Sequence, residues 1–312
     1  VLTCSRAARR LLDAPVAPGL PLDSFECDEA ILHAAQIAQA GESTVYTLER
    51  AGNQLRLSFS PVHVDDGIRG VVMLVLDISS QYAAEQSRRM FTANVTHELK
   101  TPLTSVLGYA EMIRYGLAKP EDVPGFACRI HDEAARLLAL VDDIMKLSRL
   151  DEGRGSLNFE YIDLYELAGS ICERMSDKAA KHQVRFAMHG APCVIRGIPT
   201  MVDEVVTNLC DNAIKYNRPG GTVDIELKKT SSGVILRVAN TGAAIPADSI
   251  PHIFERFYRA DASRSREVPG TVLGLSIVKH ICEIHSAVIS VTSESDNTVF
   301  TVQWPSDPGV MM

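Results

Sequence analysis

The feature that most constrains the fold of this chain is an amphipathic helix, predicted over Phe91–Glu111, with a histidine in the middle of its polar face. At 100° per residue, its apolar residues fall within about 60° on one side. These residues are Val95, Leu99, Val106 and Ala110, continued by Ile113 and Leu117. His97 falls about 200° from Val95, and Thr101 shares its face. Because an acid, Glu98, directly follows the histidine, we favour a chemical role over a merely solvated side chain.

The string HELKTPL, residues 97–103, closely resembles the phosphoacceptor box of sensor histidine kinases. The resemblance implies that His97 takes the γ-phosphate of ATP and passes it to an aspartate on the receiver domain of a response regulator. An unperturbed imidazole, with a pKa of about 6.5, is a competent nucleophile at cell pH. Glu98 can hold the proton on the far ring nitrogen and stabilise the cation that develops on attack.

Thr101 completes a second pattern, because residues 98–101 resemble the Glu-x-x-Thr phosphatase signature of the same family. The resemblance implies that the hydroxyl orients the water that attacks the phospho-aspartate of a regulator. The alternative is a hydroxyl that only solvates the helix.

Composition limits the partners and the location of the chain. A formal net charge of −8 argues against a nucleic-acid surface, so we expect no nucleic acid. The longest apolar run, Val71–Leu76, is far short of the ~20 residues that a membrane span needs. The chain begins at Val1 rather than Met, so we interpret it as a fragment whose upstream part is missing. We expect the cytoplasmic region of a membrane-anchored protein, attached only through that missing N-terminal segment.

Residues 1–80 predict a mixed α/β module. The spacing of apolar and turn residues favours helices over 6–12 and 29–39, then strands over 43–48, 54–61 and 67–77. This order, with its Asp77-Ile78-Ser79 terminus, resembles the PAS sensor module that precedes many histidine kinase cores. A ligand pocket and a dimerising or signal-relaying spacer both remain compatible with it.

Residues 81–151 predict a helical hairpin for dimerisation and phosphotransfer. The two helices span 81–117 and 126–150, and the break at 119–125 contains two prolines and a glycine. Each helix has a single apolar stripe, which cannot close a core alone. Pairing two copies into a four-helix bundle buries both stripes, so we expect a homodimer.

Residues 157–306 predict an α/β sandwich with helices on one face. Its predicted strands are 157–161, 184–188, 193–196, 222–229, 234–240, 288–293 and 299–304. The helices between them are 163–181, 199–216 and 273–284. For the whole chain we therefore expect a multidomain α+β protein.

Two asparagines in this third region form its strongest motif. Asn208 and Asn212 lie four residues apart, so both amides project from one helical face, with Lys215 within a turn. Two neutral oxygen ligands beside a cation suit a partly hydrated Mg²⁺ that carries polyphosphate. Residues 203–217 resemble the N box of the GHKL (Bergerat) ATPases. The resemblance implies Asn208 and Asn212 at the metal, Lys215 at the phosphates of ATP and Tyr216 near the nucleobase or ribose.

Residues 240–246 stand in the place of the G1 box and depart from it twice. Asn240 replaces the aspartate that accepts the adenine amino proton, and it lacks the charge that strengthens such a bond. Gly242 is retained. Ala244 replaces the second glycine, at a cost of about 1–2 kcal/mol if that position needs a positive φ.

Two further segments resemble the remaining nucleotide motifs. Residues 253–261 match the F box, which implies Arg259 at the phosphates and Phe254 and Phe257 as anchors of the nucleotide lid. Residues 269–277 resemble the G2 box, where glycines let backbone N–H groups approach phosphate. Gly270 and Gly274 remain, followed by Leu275, but Val272 replaces a glycine.

Over residues 85–305 the phosphoacceptor box and the four nucleotide boxes favour an ATP-dependent protein-histidine kinase. The alternative is a catalytically weak kinase-like scaffold, or a phosphatase-biased homologue, with ATP binding impaired by Asn240, Ala244 and Val272. Another GHKL ATPase, such as a chaperone or topoisomerase subunit, is disfavoured because those proteins lack the His-Glu-x-x-Thr-Pro helix in front of the ATP domain.

Overall fold

The computed structural model describes residues 2–13, 19, 29–65, 67–152, 158–260 and 272–306. The chain divides into two compact units, Val1–Ala93 and Asn94–Met312. Among the described residues, no helix has both the length and the apolarity required to cross a bilayer.

The N-terminal unit is mixed α/β, as expected. It contains α1 (Arg6–Leu12), α2 (Glu29–Gln39), β1 (Thr44–Arg50), β2 (Asn53–Val64) and β3 (Gly67–Asp77). The strands form an antiparallel sheet in the order β1-β2-β3. Its core joins one face of α2 to alternate residues of β2, namely Ile31, Ala34 and Ala38 with Leu55, Leu57 and Phe59. The more specific resemblance to a PAS module stays a prediction.

The strand β2 is longer than the sequence indicated. We expected it to end at Pro61, and a proline cannot donate a ladder hydrogen bond. It continues to Val64 through a bulge between Val62 and His63, and bulges are where a sheet tolerates a nearby proline.

The end of β3 is tied to the start of the long helix α3 (Ser79–Arg114) by side-chain hydrogen bonds. Asp77 Oδ1 accepts from the Ser79 hydroxyl at 2.6 Å and from its backbone N–H at 2.9 Å. These bonds hold the pKa of Asp77 below its ordinary value. The Ser79 hydroxyl oxygen in turn accepts from the backbone N–H of Gln54 at 2.9 Å. The Asp-Ile-Ser sequence therefore fixes where the helix begins.

The predicted hairpin is present, with α3 followed by α4 (Val123–Glu152). The prediction that Leu117 lies on the apolar face of the first helix is wrong. Gly116 adopts φ +67°, a left-handed conformation that ends a helix, so α3 stops at Arg114. Leu117 lies in the turn and is 71% exposed. At the other side of the turn, α4 begins three residues before the expected Phe126, because Pro124 is tolerated in a first helical turn.

One copy of the hairpin leaves much of its apolar surface open. The Tyr109 and Phe126 rings, 5.3 Å apart, close its tip. Large apolar side chains farther along both helices remain at least half exposed, namely Leu103, Leu107, Leu138 and Met145. Two antiparallel helices therefore bury only part of their stripes against each other.

The remaining elements form an α/β sandwich, which confirms the predicted architecture. Five strands make a mixed sheet in the order β5-β7-β8-β10-β9. They are β5 (Arg185–Gly190), β7 (Thr222–Thr230), β8 (Gly233–Asn240), β9 (Val288–Glu294) and β10 (Asn297–Pro305). A two-stranded sheet pairs β4 (Glu160–Asp163) with β6 (Val194–Gly197). The expected start of β4 at Leu157 falls outside the described residues.

Three helices, α5 (Leu164–Lys181), α6 (Pro199–Lys215) and α7 (Gly274–Ile284), pack side by side and against the five-stranded sheet. The central helix, α6, is the most deeply buried. Its apolar face contains Val202, Val205, Val206, Leu209, Cys210, Ala213 and Ile214. Alternate residues of the sheet meet this face, including Val223, Ile225, Leu236 and Val238. The opposite face of α6 is only partly covered.

The His285 side chain links the start of α6 to the end of α7. Its Nε2 accepts from the backbone N–H of Ile198, the N-cap of α6, at 3.0 Å. Its Nδ1 lies 2.8 Å from the carbonyl of Ile281 in α7, so the proton resides on Nδ1. Burial lowers the pKa of His285, although the bond to Ile281 opposes the shift. A neutral imidazole therefore joins α6 to α7.

Replacement of Ser286 by glycine should stabilise this domain. Ser286 follows the C-cap of α7 at φ +52°, where a Cβ is unfavourable. We expect Ser286→Gly to raise the free energy of unfolding by about 0.5–1 kcal/mol. Urea denaturation can be followed by fluorescence of the single tryptophan, Trp304, which is 2% exposed.

The control is Ala287→Gly at the next position, which is buried and outside the left-handed region. This variant should lose stability. An equal effect of both substitutions would contradict the conformational explanation.

Candidate functional site

The polar face of α6 presents the residues of the predicted N box. Asn208, Asn212 and Lys215 are half-buried on the side opposite to the apolar face. The helix is held by its buried face, so these polar groups are placed on a rigid element.

Asn208 has a defined amide orientation. Its Nδ2 donates to the backbone carbonyl and to Oε1 of Glu204, both at 2.9 Å. A Cβ added to Gly274 would lie 2.7 Å from Asn208 Oδ1. The amide oxygen therefore faces the first turn of α7, and the N box and the G2 box meet at this point.

Lys215 forms an ion pair with an acidic residue of the same helix. Its Nζ pairs with one carboxylate oxygen of Asp211, while Lys178 pairs with the other. Burial raises the pKa of Asp211, but the two ammonium groups outweigh it and hold the pKa below its ordinary value. The side chain of Asn212, one turn before Tyr216, has no hydrogen-bond partner among the described residues.

The end of β8 lies against the end of α6. Asn240 is 3% exposed, and its Nδ2 donates to the carbonyl oxygen of Tyr216 at 3.5 Å. A Cβ on Gly242 would lie 1.7 Å from that same oxygen, so the close approach requires glycine. In the described part of the chain, no hydrogen bond uses Asn240 Oδ1, which remains available as an acceptor. The Tyr216 side chain is 55% exposed.

Ala244 and Val272 are the remaining two of the three substitutions that suggested a weak kinase. Ala244 is not among the described residues with positive φ, so the expected conformational cost does not apply there. Val272 is half-buried just before α7. Leu275 lies half-buried in the first turn of α7, and Gly270 lies outside the described residues.

The F-box segment connects the α/β sandwich to the hairpin. Phe254 packs edge-on against Phe300 of β10, with ring centroids 6.3 Å apart. Arg256 Nη2 lies 2.8 Å from Asp151 Oδ1 at the end of α4. Arg259 Nη2 lies 3.8 Å from Glu98 Oε2 on α3.

His97 is exposed on α3, as its place on the polar face predicted. The hydroxyl of Thr101 donates to the backbone carbonyl of His97 at 3.2 Å. Glu98 is half-buried beneath Arg259. The structure thus brings an arginine of the F box next to the acid that follows the exposed histidine.

Several polar residues of this region were not found from the sequence. Lys146 of α4 lies 2.9 Å from both carboxylate oxygens of Glu204. The position of Glu204, four residues before Asn208, was a local signal that they share a helical face. No local pattern could pair Lys146 with Glu204, because 58 residues separate them.

The groups present fit Mg²⁺ and ATP. Amide oxygens are ligands that magnesium accepts, and a lysine lies within one turn of them. The glycines at 242 and 274 admit neighbouring groups to positions that a Cβ would fill. A buried amide at the end of β8 offers an acceptor of the kind that recognises an adenine amino group.

Comparison with protein families gives two matches in series. Residues 87–153 match HisKA, the His Kinase A (phospho-acceptor) domain. Residues 197–308 match HATPase_c, the histidine kinase-, DNA gyrase B-, and HSP90-like ATPase.

Comparison with curated proteins and solved structures gives the same result. Sensor protein kinase WalK of Staphylococcus aureus is 32% identical over 264 residues, which covers 83% of this chain and 64% of that protein. The WalK of strain JH9 is matched over 43% of its length, so the chain spans only part of these relatives. Histidine kinase ThkA, solved in complex with response regulator protein TrrA, shares the fold with a TM-score of 0.58 and 23% identity, over 98% of this chain and 92% of that chain. Full-length ShkA in complex with AMPPNP has a TM-score of 0.51 and 25% identity, over 71% of this chain and 45% of that chain.

A phosphoacceptor hairpin followed by an ATPase domain defines the class of protein. The chain belongs to the sensor histidine kinases of two-component systems.

Replacement of Gly242 by alanine should disrupt the contact between β8 and α6. Since the new Cβ would overlap the Tyr216 carbonyl, a backbone shift is required. We expect Gly242→Ala to lower the free energy of unfolding by about 2–3 kcal/mol in urea denaturation.

The matched control is Gly169→Ala in α5, where nothing lies within 4 Å of an added Cβ. That variant should gain about 0.5–1 kcal/mol from helix propensity. Unchanged stability of Gly242→Ala would mean that the loop after β8 yields at little cost.

Proposed function

We propose that this chain is an ATP-dependent protein-histidine kinase that phosphorylates His97 and transfers the phosphoryl group to an aspartate of a response regulator. The observation that supports this best is the contact of Arg259 with Glu98, beside the exposed His97. ThkA was solved in complex with a response regulator protein, and the same class of partner, bound through its receiver domain, is proposed for this chain.

The nucleotide would lie between α6, the end of β8 and the start of α7. Asn208 and Asn212 would hold Mg²⁺, which when bound neutralises phosphate charge. Lys215, released from Asp211, would contact the phosphates. The base would meet Tyr216 and the Asn240 amide oxygen. Gly242, Gly270, Gly274 and Leu275 would line the site, with Arg259 at its phosphate end.

The phosphoryl transfer needs a neutral imidazole. A ring nitrogen of His97 forms a bond to the γ-phosphorus of ATP while the bond from that phosphorus to the bridging oxygen breaks, and ADP leaves. Glu98 stabilises the positive charge on the ring and accepts its second proton. In the next step Glu98 returns the proton to the ring, an aspartate oxygen of the regulator attacks phosphorus, the N–P bond breaks, and neutral His97 is restored.

The same helix is also proposed to remove phosphate from the regulator. Although the Thr101 hydroxyl donates its hydrogen to the His97 carbonyl, its oxygen can still accept a hydrogen bond from water. A water held in this way would be oriented toward the phospho-aspartate.

We propose the domain order given by the sequence, with a PAS-like sensor module at 1–80, the hairpin at 81–151 and the ATP domain at 157–306. The hairpin is proposed to form a homodimer through the apolar side chains that one copy leaves exposed. A membrane anchor outside this chain stays a prediction.

We do not adopt the alternative of a catalytically weak scaffold, because Ala244 avoids the backbone strain that partly motivated it.

The phosphoacceptor assignment predicts loss of labelling in one variant. Full-chain protein incubated with γ-labelled ATP and Mg²⁺ should acquire acid-labile, base-stable label. His97→Gln should reduce that label at least about a hundredfold, since glutamine lacks the nucleophilic ring, while nucleotide affinity stays within about twofold.

The control is His131→Gln, which removes a histidine that is also exposed, but on α4. Its label should equal that of the unmodified chain. Persistent label on His97→Gln would overturn the assignment.

The phosphatase assignment predicts that one variant loses dephosphorylation of the regulator but keeps autophosphorylation. Thr101→Ala should slow dephosphorylation of the regulator about tenfold or more, because the hydroxyl that orients water is absent. Autophosphorylation should change by no more than about twofold, since that step does not use the hydroxyl. Thr101→Ser retains the hydroxyl and should restore most of the phosphatase rate. A parallel loss of both activities in Thr101→Ala would indicate a structural role instead.

A further inference from the structure

Glu204 occupies the point where the hairpin and the N box meet. It lies on α6, one turn before Asn208, and its side chain is 26% exposed. From the hairpin side, Lys146 of α4 reaches both of its oxygens at 2.9 Å. One carboxylate is therefore shared between an amide of the ATP-binding region and a lysine of the phosphoacceptor region.

The contact with Asn208 determines which end of that amide faces the nucleotide side. The Nδ2 group has two hydrogens, and the structure gives it two acceptors, the backbone carbonyl and Oε1 of Glu204. With both hydrogens engaged, Oδ1 is directed to the start of α7, against Gly274. An amide rotated by 180° would present hydrogens there, and hydrogens cannot bind a cation.

The contact with Lys146 fixes the carboxylate itself. Burial lowers the pKa of Lys146, but Glu204, Asp143 and Asp142 outweigh it and raise the pKa above its ordinary value. Lys146 is thus a cation that two acids of α4 and one acid of α6 surround. Lys146 belongs to α4 and Glu204 to α6. The Glu204 carboxylate therefore keeps its bond to Lys146 only while α4 and α6 are in contact.

We propose that Glu204 is a positioning residue for magnesium, which holds the Asn208 amide with its oxygen toward the nucleotide, and that Lys146 makes this positioning depend on the docking of α4. The inference rests on the proposed function, since it requires Asn208 to be a metal ligand. It adds that the metal affinity of the ATP site depends on contact with the hairpin.

The test measures how nucleotide binding by the full chain depends on Mg²⁺. A non-hydrolysable ATP analogue is titrated by calorimetry at a series of Mg²⁺ concentrations and in EDTA. Glu204→Ala should raise the Mg²⁺ concentration for half-maximal enhancement about tenfold, as is typical when a partner that orients a metal ligand is removed. Affinity in EDTA should not change, because the metal-independent contacts remain.

Two further variants separate the acceptor from the ion pair. Glu204→Gln keeps an oxygen that can accept from Asn208, so its shift should be clearly smaller than that of Glu204→Ala. Lys146→Met keeps the acceptor but loses the cation, and should shift the Mg²⁺ dependence by about threefold.

The matched control is Asp203→Ala on the same helix. Asp203 forms a comparable ion pair, 2.9 Å from Arg174, but its side chain does not contact the Asn208 amide. Its Mg²⁺ dependence should equal that of the unmodified chain.

Three results would overturn the inference. One is a Glu204→Ala protein with unaltered thermal stability and unaltered Mg²⁺ dependence, and another is an equal shift in Asp203→Ala. The third is an unmodified chain whose nucleotide binding does not respond to Mg²⁺. Only this third result also removes the metal assignment of the proposed function, so the two failures are distinguishable.

Discussion

The burial of one face of α6 is the constraint on which the rest of the ATP-binding region depends. Its apolar residues are almost fully removed from water between the sheet and the flanking helices α5 and α7. A helix fixed in this way cannot rotate without exposing that face, which would cost several kcal/mol at about 25 cal/mol per Å². The polar face is therefore held in one direction, so that Asn208, Asn212 and Lys215 lie on the same side of the helix.

The contacts between the hairpin and the ATP-binding region are of a different physical kind. They include partly exposed ion pairs, such as Lys146–Glu204 at 2.9 Å and Arg256–Asp151 at 2.8 Å. Such pairs contribute about 0–1 kcal/mol each and weaken with salt. A small number of polar contacts of this strength can be broken and remade. This suits the proposed function, in which the ATP domain first meets His97 and then lets a regulator approach it.

The secondary structure followed closely from the sequence wherever the local signal was strong. Helices α1 and α2 and strand β3 have the predicted bounds, and α6 differs by one residue at its end. The misplaced boundaries have local causes that periodicity does not contain. Gly116 ended α3 early through a left-handed conformation, and a bulge carried β2 past Pro61. Amphipathic spacing identifies a face, but it does not fix the residue at which a helix or strand ends.

The sequence by itself determined which side chains share a helical face with His97 and with Asn208, because helical spacing alone fixes that order. Only the tertiary structure decided which distant groups hold them. Glu98 contacts Arg259, which is 161 positions away in the chain. Glu204 contacts Lys146, which is 58 positions away. Spacing along one helix sets only local neighbours, whereas these pairs depend on how separate elements pack.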